Sequence, residues 1–227
     1  METMSTRLLL VRHGQASIDA TDYDQLSALG HAQCAALGHY LRQHHESPCA
    51  TAVHGRLRRH QQSYAALAQG AGHAQPAHTE ADFDEYDFRG VLTAYLNTQA
   101  HDPQALEAAT HGGRAWLRHL RPALTAWALA KLELPPAHLH AQFQERVSAA
   151  LARVATAPGP VLIVTSGGVI GAAVGHALGL TATDAVRLNL CIENSSVTEL
   201  DFEHGRLHLV RFNSVAHLDD PTQRSLV

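Results

Sequence analysis

Leu8-Leu9-Leu10-Val11-Arg12-His13-Gly14-Gln15 is the stretch on which the reading of the whole chain turns. Four consecutive apolar residues between Arg7 and Arg12 show no helical alternation. They predict a short strand buried on both faces. The run then stops on a cation, an imidazole and a glycine. Polar groups at the carboxyl end of a buried strand sit where open α/β sheets bind their ligands. Arg12 offers a planar, permanently charged fork suited to phosphate oxygens. His13 can act as a nucleophile, and Gly14 lets the backbone turn without a Cβ in the way. An ordinary strand end carrying a solvated Arg-His pair would read the same way, so the octet needs support from the rest of the chain.

Working outward, residues 17–25 are polar and rich in aspartate (Asp19, Asp22, Asp24), hence a loop. Ser27 is a good N-cap for a helix with Ala32, Ala36, Leu37, Tyr40 and Leu41 on one stripe. After Pro48, residues 49–53 predict a second strand, whose carboxyl end opens into His54-Gly55-Arg56-Leu57-Arg58-Arg59. A helix continues through Ala66 and Leu67 to the stop at Gly70-Ala71-Gly72. Strand, helix, strand, helix with short joints is the pattern of a parallel sheet with right-handed crossovers. Residues 73–141 break that rhythm: they are helical in character and punctuated by Pro103, Gly112-Gly113, Pro122 and Pro135-Pro136. They read as an insertion that either caps a pocket or forms a helical layer away from it. Phe143, Val147, Ala150, Leu151 and Val154 then share a helical face that ends at Pro158-Gly159-Pro160. Residues 161–164 predict a third buried strand, and a helix from Val169 to Leu178 stops at Gly179. Residues 197–202 and 207–212, joined through Glu203-His204-Gly205, predict a closing hairpin. The expectation is one α/β domain over 1–227. It would be a three-layer sandwich with a mostly parallel central sheet flanked by helices and a helical insertion, 73–141, over the site.

Composition narrows the function classes. The chain has 227 residues, 45% hydrophobic and 17% charged, enough apolar material for a core. A formal net charge of −4 gives no electrostatic pull toward nucleic acid or an anionic membrane, so neither is expected as a partner. Eighteen histidines invite a metal, yet no His-Glu-x-x-His helix or Cys-His cluster with ligand spacing occurs, and most of them read as surface residues. Cys34, Cys49 and Cys191 lie too far apart for a paired motif and read as packed thiols of a reducing compartment. Residues 1–4 lead into only four apolar residues, too few for a signal peptide, and no run reaches the roughly 18 needed to span a membrane. A cytoplasmic location is expected.

Three predicted strand ends, at Arg12-His13, at 54–59 and at Thr165-Ser166-Gly167, would meet on one edge of the sheet. Arginines gathered there repel one another and lose solvation, and a bound phosphoryl dianion would supply the reason for bringing them together. The helix after Ser166-Gly167-Gly168 would also aim its free amides at the anion.

Several stretches, taken in order, resemble the histidine phosphatase superfamily, the phosphoglycerate-mutase-like proteins. The first octet resembles their Arg-His-Gly strand end. Leu26-Ser27-Ala28-Leu29-Gly30-His31-Ala32-Gln33 resembles their Leu-Ser/Thr-x-x-Gly-x-x-Gln helix start. Leu57-Arg58-Arg59-His60-Gln61-Gln62-Ser63 resembles Leu-x-Arg-Ala-x-Gln-Thr, Phe83-Asp84-Glu85-Tyr86-Asp87 falls at the glutamate-bearing loop, and Val164-Thr165-Ser166-Gly167-Gly168 resembles the late strand-to-helix turn. The resemblance implies that His13 attacks phosphorus to form a phosphohistidine while Arg12 and Arg59 hold the phosphoryl oxygens, leaving Arg56 and Arg58 as surface charges on alternate helix faces. It implies Glu85 as general acid, with Glu80 as the second candidate because the loop also reads Thr79-Glu80-Ala81-Asp82, and an ordinary solvated carboxylate as the third reading; the family's glycine-rich continuation is degraded here to Asp87-Phe88-Arg89-Gly90. Gly14, Gln15, Ser166 and Gly167 would bind substrate, and no metal or organic cofactor is called for.

Two departures stand out. Where the family generally has His-Gly-Gly, this chain has Ser166-Gly167-Gly168, which removes an imidazole donor; His54 or His60 could reach the gap, with no register argument for either. Where mutase-like members often place an asparagine, the chain reads Ala16-Ser17-Ile18-Asp19, and Asp19 would repel phosphate. The leading expectation is a phosphomonoester hydrolase acting on a phosphorylated small molecule or phosphoprotein. A phosphoglycerate mutase is the first alternative, with Arg89, Arg114, Arg118 and Arg121 either binding a second phosphate or forming an exposed face. A phospho-ligand binding or regulatory protein of low turnover is the second, motivated by Ser166.

Overall fold

The opening apolar run forms strand β1 (Thr6–Arg12), in which Leu8, Leu9, Leu10 and Val11 are all buried. A computed structural model describes residues 5–17, 23–44, 49–72, 75–98 and 116–226. Around β1 lie β2 (Thr51–His54), β3 (Ala77–Thr79), β4 (Val161–Thr165), β5 (Val197–Glu203) and β6 (Arg206–Ser214), in the sheet order β3-β2-β4-β1-β5-β6. The first four strands in that order run parallel, while β5 and β6 are antiparallel additions. The pleat sends alternate side chains to opposite faces. Leu9 and Val11, with Leu162 and Val164, pack against Leu37 and Leu67 of helices α1 (Ala28–His44) and α2 (Arg58–Ala71). Leu8, Leu10, Val161 and Ile163 face the larger core on the other side. That core is supplied by α3 (Phe88–Thr98), α4 (Leu117–Ala128), α5 (His140–Val154), α6 (Gly167–Leu178) and α7 (Ala182–Asn189). Helices on both faces of a mostly parallel sheet make the expected three-layer sandwich.

The helix boundaries have local causes. Ser27 Oγ accepts the Gly30 amide at 3.1 Å at the start of α1. Gly72 and Gly179, at φ of 74° and 64°, end α2 and α6 in the left-handed conformation that favours glycine. Pro122, expected as punctuation, lies inside α4.

The structure departs from the sequence reading at β3, on the face of α1 and at α7. Ala77–Thr79, placed in the helical insertion, is an edge strand parallel to β2; three residues with a single half-buried alanine carry no apolar run to reveal it. Within 73–141 the described α-helices are α3, α4 and the start of α5, with short 3₁₀ turns at Ala81–Phe83 and Pro136–His138, while Pro103, Gly112-Gly113 and Arg114 fall outside the described residues. The buried face of α1 is Gly30, Gln33, Cys34, Leu37 and Gly38 rather than the stripe through Ala32 and Tyr40. Helix α7 was not anticipated, although Thr181 caps it by accepting the Asp184 amide.

Small residues form the α1 face because the two neighbouring helices approach backbone to backbone. A Cβ on Gly38 would lie 2.0 Å from the Leu67 carbonyl oxygen, and one on Gly70 would lie 2.1 Å from that of Ala35. Gly38→Ala therefore forces the helices apart despite alanine's better helix propensity. We expect a loss of about 1–3 kcal/mol in urea unfolding, the usual range for overpacking.

Candidate active site

The parallel strands deliver their carboxyl ends to one edge of the sheet, and backbone bonds lock the turns that follow. The His13 amide donates to the Thr165 carbonyl at 2.8 Å, Gly55 to Val164 at 3.2 Å, and Glu80 to His54 at 2.9 Å. Thr165 Oγ1 donates to the Phe83 carbonyl at 2.6 Å, tying the acid-bearing loop to β4. A cavity of about 200 Å³ opens at this edge, and Arg12, His13, Arg59, Glu85 and Gly167 all line it.

His13 is buried, and its Nδ1 lies 2.7 Å from the Gly14 carbonyl oxygen. A carbonyl can only accept, so Nδ1 carries the proton and Nε2 keeps its lone pair. The Ser195 amide and Asn194 Nδ2 both donate to the His13 carbonyl at 3.2 Å, fixing the turn. Ser195 stands at φ 57°, and its hydroxyl meets His217 Nε2 at 2.7 Å. Burial, then the Arg59 and Arg12 charges and His60, push the His13 pKa well below the usual 6.5, so the ring is neutral at pH 7.

Arg12 donates through Nη1 to the Ile192 carbonyl, and Arg59 through Nη1 to Asp24 Oδ1 at 2.7 Å. The Arg59 guanidinium also lies 5.6 Å from the Tyr23 ring centre. Yet Nε of each arginine is buried with no hydrogen-bond partner among the described residues. Arg12 and Arg59 thus line one cavity with a neutral imidazole, a setting whose charge suits an oxyanion. Arg59 is the buried arginine of its run, while Arg58 is exposed. Arg56 precedes α2 instead of lying on one of its faces, and its Nε donates to Asp84 Oδ2 at 2.8 Å.

Glu85 sits against the start of α6. Its Oε2 accepts the Gly168 amide at 3.1 Å and its Oε1 the Tyr86 amide at 3.2 Å. Gly168 is required for this seat, since a Cβ there would fall 2.1 Å from Glu85 Oε1. Desolvation raises the Glu85 pKa above its usual value, against the opposing pull of those amides and the two arginines. The α6 amide expected to face an anion is thus engaged by this carboxylate. Glu80 accepts the Asp82 amide at 3.2 Å and pairs with Arg153 at 3.3 Å, away from the cavity lining.

Three residues expected to bind substrate do not line the cavity. Gly14 donates its amide to Ser63 Oγ at 3.0 Å and holds the His13 ring. Gln15 secures the turn to α1, through its amide to Gln33 Oε1 at 2.9 Å and its Oε1 to Ser27 Oγ at 2.8 Å. Ser166 lies behind the lining with its Oγ 2.6 Å from His60 Nε2, and both residues are completely buried. His60, then, is the histidine that reaches position 166, whereas His54 Nδ1 donates to the Gly55 carbonyl at 2.9 Å. Asp19 falls outside the described residues.

The outer wall was not foreseen. Tyr23, Phe88, Trp116, Leu120, Leu190 and Leu226 supply it, with ring centres 5.6 Å apart for Tyr23–Phe88 and 5.5 Å for Phe88–Trp116. Leu226 reaches the cavity because the carboxyl-terminal segment is strapped down. Asn194 donates its amide to the Ser225 carbonyl at 2.8 Å, and Gln33 Nε2 donates to the Gln223 carbonyl at 2.7 Å. Cys34 is buried, but Cys191 is exposed rather than packed. Among the described residues, no group of His, Cys, Asp or Glu could hold a metal ion, and no helix is long and apolar enough to cross a membrane.

The profile of the histidine phosphatase superfamily (branch 1) matches residues 8–215. The chain belongs to this superfamily. Membership places it among proteins of phosphoryl hydrolysis or transfer. No curated protein sequence matches it. Among solved structures, a mutant phosphoserine phosphatase from Entamoeba histolytica, in complex with phosphoserine, is 17% identical with a TM-score of 0.66, covering 94% of this chain and 99% of its own. A mycobacterial glucosyl-3-phosphoglycerate phosphatase is 21% identical with a TM-score of 0.63, covering 93% and 100%. Phosphoglycerate mutase from Bacillus anthracis is 16% identical with a TM-score of 0.65, covering 96% of each chain. At these identities the likeness is one of fold. For this member of the superfamily the paired arginines make a direct prediction. Arg12→Gln and Arg59→Gln each remove charge-assisted bonds worth about 1.5–3 kcal/mol, so each weakens inorganic phosphate binding by roughly 10- to 150-fold in calorimetric titration.

Proposed function

We propose that the protein is a phosphomonoester hydrolase working through a phosphohistidine on His13. The observation that carries this reading is the His13 ring, held with its Nε2 lone pair free beside two arginines that each keep a buried, unused Nε–H. In the first step Nε2 forms a bond to phosphorus as the ester P–O bond breaks. The Glu85 carboxyl gives its proton to the departing alkoxide. In the second step the Glu85 carboxylate takes a proton from water, whose oxygen attacks phosphorus. The N–P bond breaks, releasing inorganic phosphate and returning His13 neutral and Glu85 protonated. The chain's own donors suffice for charge stabilisation, and no cofactor enters.

The wall favours hydrolysis of an ester whose alcohol is apolar or aromatic. Beyond the phosphoryl end, the described lining carries aromatic rings and leucines, and its cations are Arg12 and Arg59. A carboxylate or second phosphate on the substrate finds no third cation there, which speaks against the mutase reading. Arg89, Arg118 and Arg121 are exposed, and Arg114 lies outside the described residues. The substrate proposed is a phosphorylated small molecule.

Phosphate release from benzyl phosphate tests the reading. His13→Ala should abolish turnover, and equal rates for wild type and His13→Ala would overturn it. Benzyl phosphate should give a higher kcat/KM than 3-phosphoglycerate, and the reverse order would restore the mutase alternative. His13 must be neutral, so kcat/KM falls on the acid side only as pH drops through a pKa well below 6.5. Glu85 must be protonated in the first step, so kcat/KM also falls as pH rises through its elevated pKa. Glu85→Gln should remove that alkaline limb. It should cost ~10²–10⁴-fold with benzyl phosphate but far less with 4-nitrophenyl phosphate, whose leaving group needs no proton.

A further inference from the structure

Helix α7 is carried to the cavity by three glycines spaced four residues apart on α6. A Cβ on Gly175 would lie 2.8 Å from that of Ala185, and one on Gly171 would lie 3.0 Å from that of Asn189. One on Gly167 would lie 2.6 Å from Asn189 Oδ1. Glycine alone permits so close an approach. It leaves Asn189, the last residue of α7, on the cavity lining with Arg12, Tyr86 and Gly167.

The Asn189 amide is held in one sense. Its Nδ2 donates to the Tyr86 hydroxyl at 3.3 Å, which turns Oδ1 toward Gly167. The position that a Gly167 Cβ would fill is also 3.7 Å from Arg12 Nε, so the amide oxygen, not its N–H groups, faces the cation. That is the electrostatically favourable sense. Oδ1 can only accept, and it has no donor among the described residues. The Tyr86 ring packs beside Glu85, because a Cβ on Gly168 would fall 2.5 Å from Tyr86 Cε1 and 2.1 Å from Glu85 Oε1. Having accepted from Asn189, the Tyr86 hydroxyl keeps its own proton to donate, with no acceptor among the described residues. Burial, then the Glu85 charge, raise the Tyr86 pKa, so that proton stays in place.

An acceptor and a donor, both neutral, thus stand together on the wall between Arg12 and Glu85. An anionic oxygen is repelled by Asn189 Oδ1, and an apolar group leaves both partners unpaired. A hydroxyl satisfies both at once, giving its proton to Oδ1 and accepting the one on Tyr86. We propose that Asn189 and Tyr86 are specificity-determining residues that read a hydroxyl on the alcohol portion of the ester, on the carbon next to the one bearing the phosphate. The proposal rests on the hydrolase reading of the cavity and narrows its substrate class to monophosphates of vicinal diols with an aromatic or apolar body. The adjacent carbon follows from the setting, since Arg12 marks the phosphoryl end and Glu85 the departing oxygen.

The test compares kcat/KM of the full chain for two esters that differ by one group, 2-phenylethyl phosphate and each enantiomer of 2-hydroxy-2-phenylethyl phosphate. Wild type should favour the better hydroxylated enantiomer by roughly 10-fold or more, the worth of one to two neutral hydrogen bonds. Tyr86→Phe keeps the ring on Gly168 and loses only the hydroxyl, while Asn189→Ala keeps the Cβ against Gly171. Each should bring the ratio of the two esters close to one. Equal rates for the two esters in wild type, with turnover that still requires His13, overturn this proposal and leave the hydrolase reading standing. A wild-type preference that survives either substitution overturns it as well. Should wild type hydrolyse both esters no faster than His13→Ala, the hydrolase reading fails. Calorimetric dissociation constants of the same esters for wild type, Tyr86→Phe and Asn189→Ala then decide the hydroxyl preference by the same ratios.

Discussion

Two guanidinium groups held beside a buried imidazole set the terms for everything around them. Positive charges brought together with little water repel one another, and Arg59 itself pulls the Arg12 pKa down after desolvation has already lowered it. The chain answers with partial compensation: the Ile192 carbonyl for Arg12, and Asp24 with the Tyr23 ring for Arg59. None of these saturates the cations, because both Nε–H groups stay unmatched among the described residues. A protein of formal charge −4 thus gathers two cations in one small cleft.

Glu85 lives under a conflict that the fold resolves by position. Two backbone amides stabilise its ionised form, as do the arginines, while desolvation acts the other way and wins. A carboxyl group placed in this balance can hold a proton and still receive it back. The seat depends on Gly168, so the glycine pair after Ser166 shapes the acid's place as well as the helix start. Because the Glu85 loop follows β3 and is pinned by Thr165 to β4, Glu85 and His13 are held at the same edge of the sheet.

Much of the architecture was legible because buried parallel strands announce themselves as unbroken apolar runs. Residues 8–11 and 161–164 are of this kind, and the hairpin at 197–214 shows its turn. β3 escaped notice since an edge strand of sequence Ala-His-Thr has no such run. The face of α1 was misplaced because glycines there pack against another backbone, a contact no hydrophobicity pattern records. Helix α7 left a signal that could have been read, Thr181 three residues before Asp184, a cap pattern ahead of the apolar Ala185 and Val186. Of the cavity lining, Arg12, His13, Arg59 and Glu85 had been singled out from local motifs. Gln15 was assigned too much, its polar side chain being spent on anchoring α1. His60 could not be placed from sequence, because its partner is 106 residues away and the two meet only once α2 and β4 are side by side.

The strapped carboxyl-terminal segment makes the far end of the chain part of the cavity wall through Leu226. Peptide appended beyond that leucine, such as an affinity handle or a fluorescent fusion, would begin at the rim where the alcohol portion of an ester is expected to rest. β1, by contrast, starts at Thr6 at the other end of the parallel strands, away from that rim. Constraints of chemistry and of handling therefore coincide at Leu226, where covering the segment would also cover the cavity mouth.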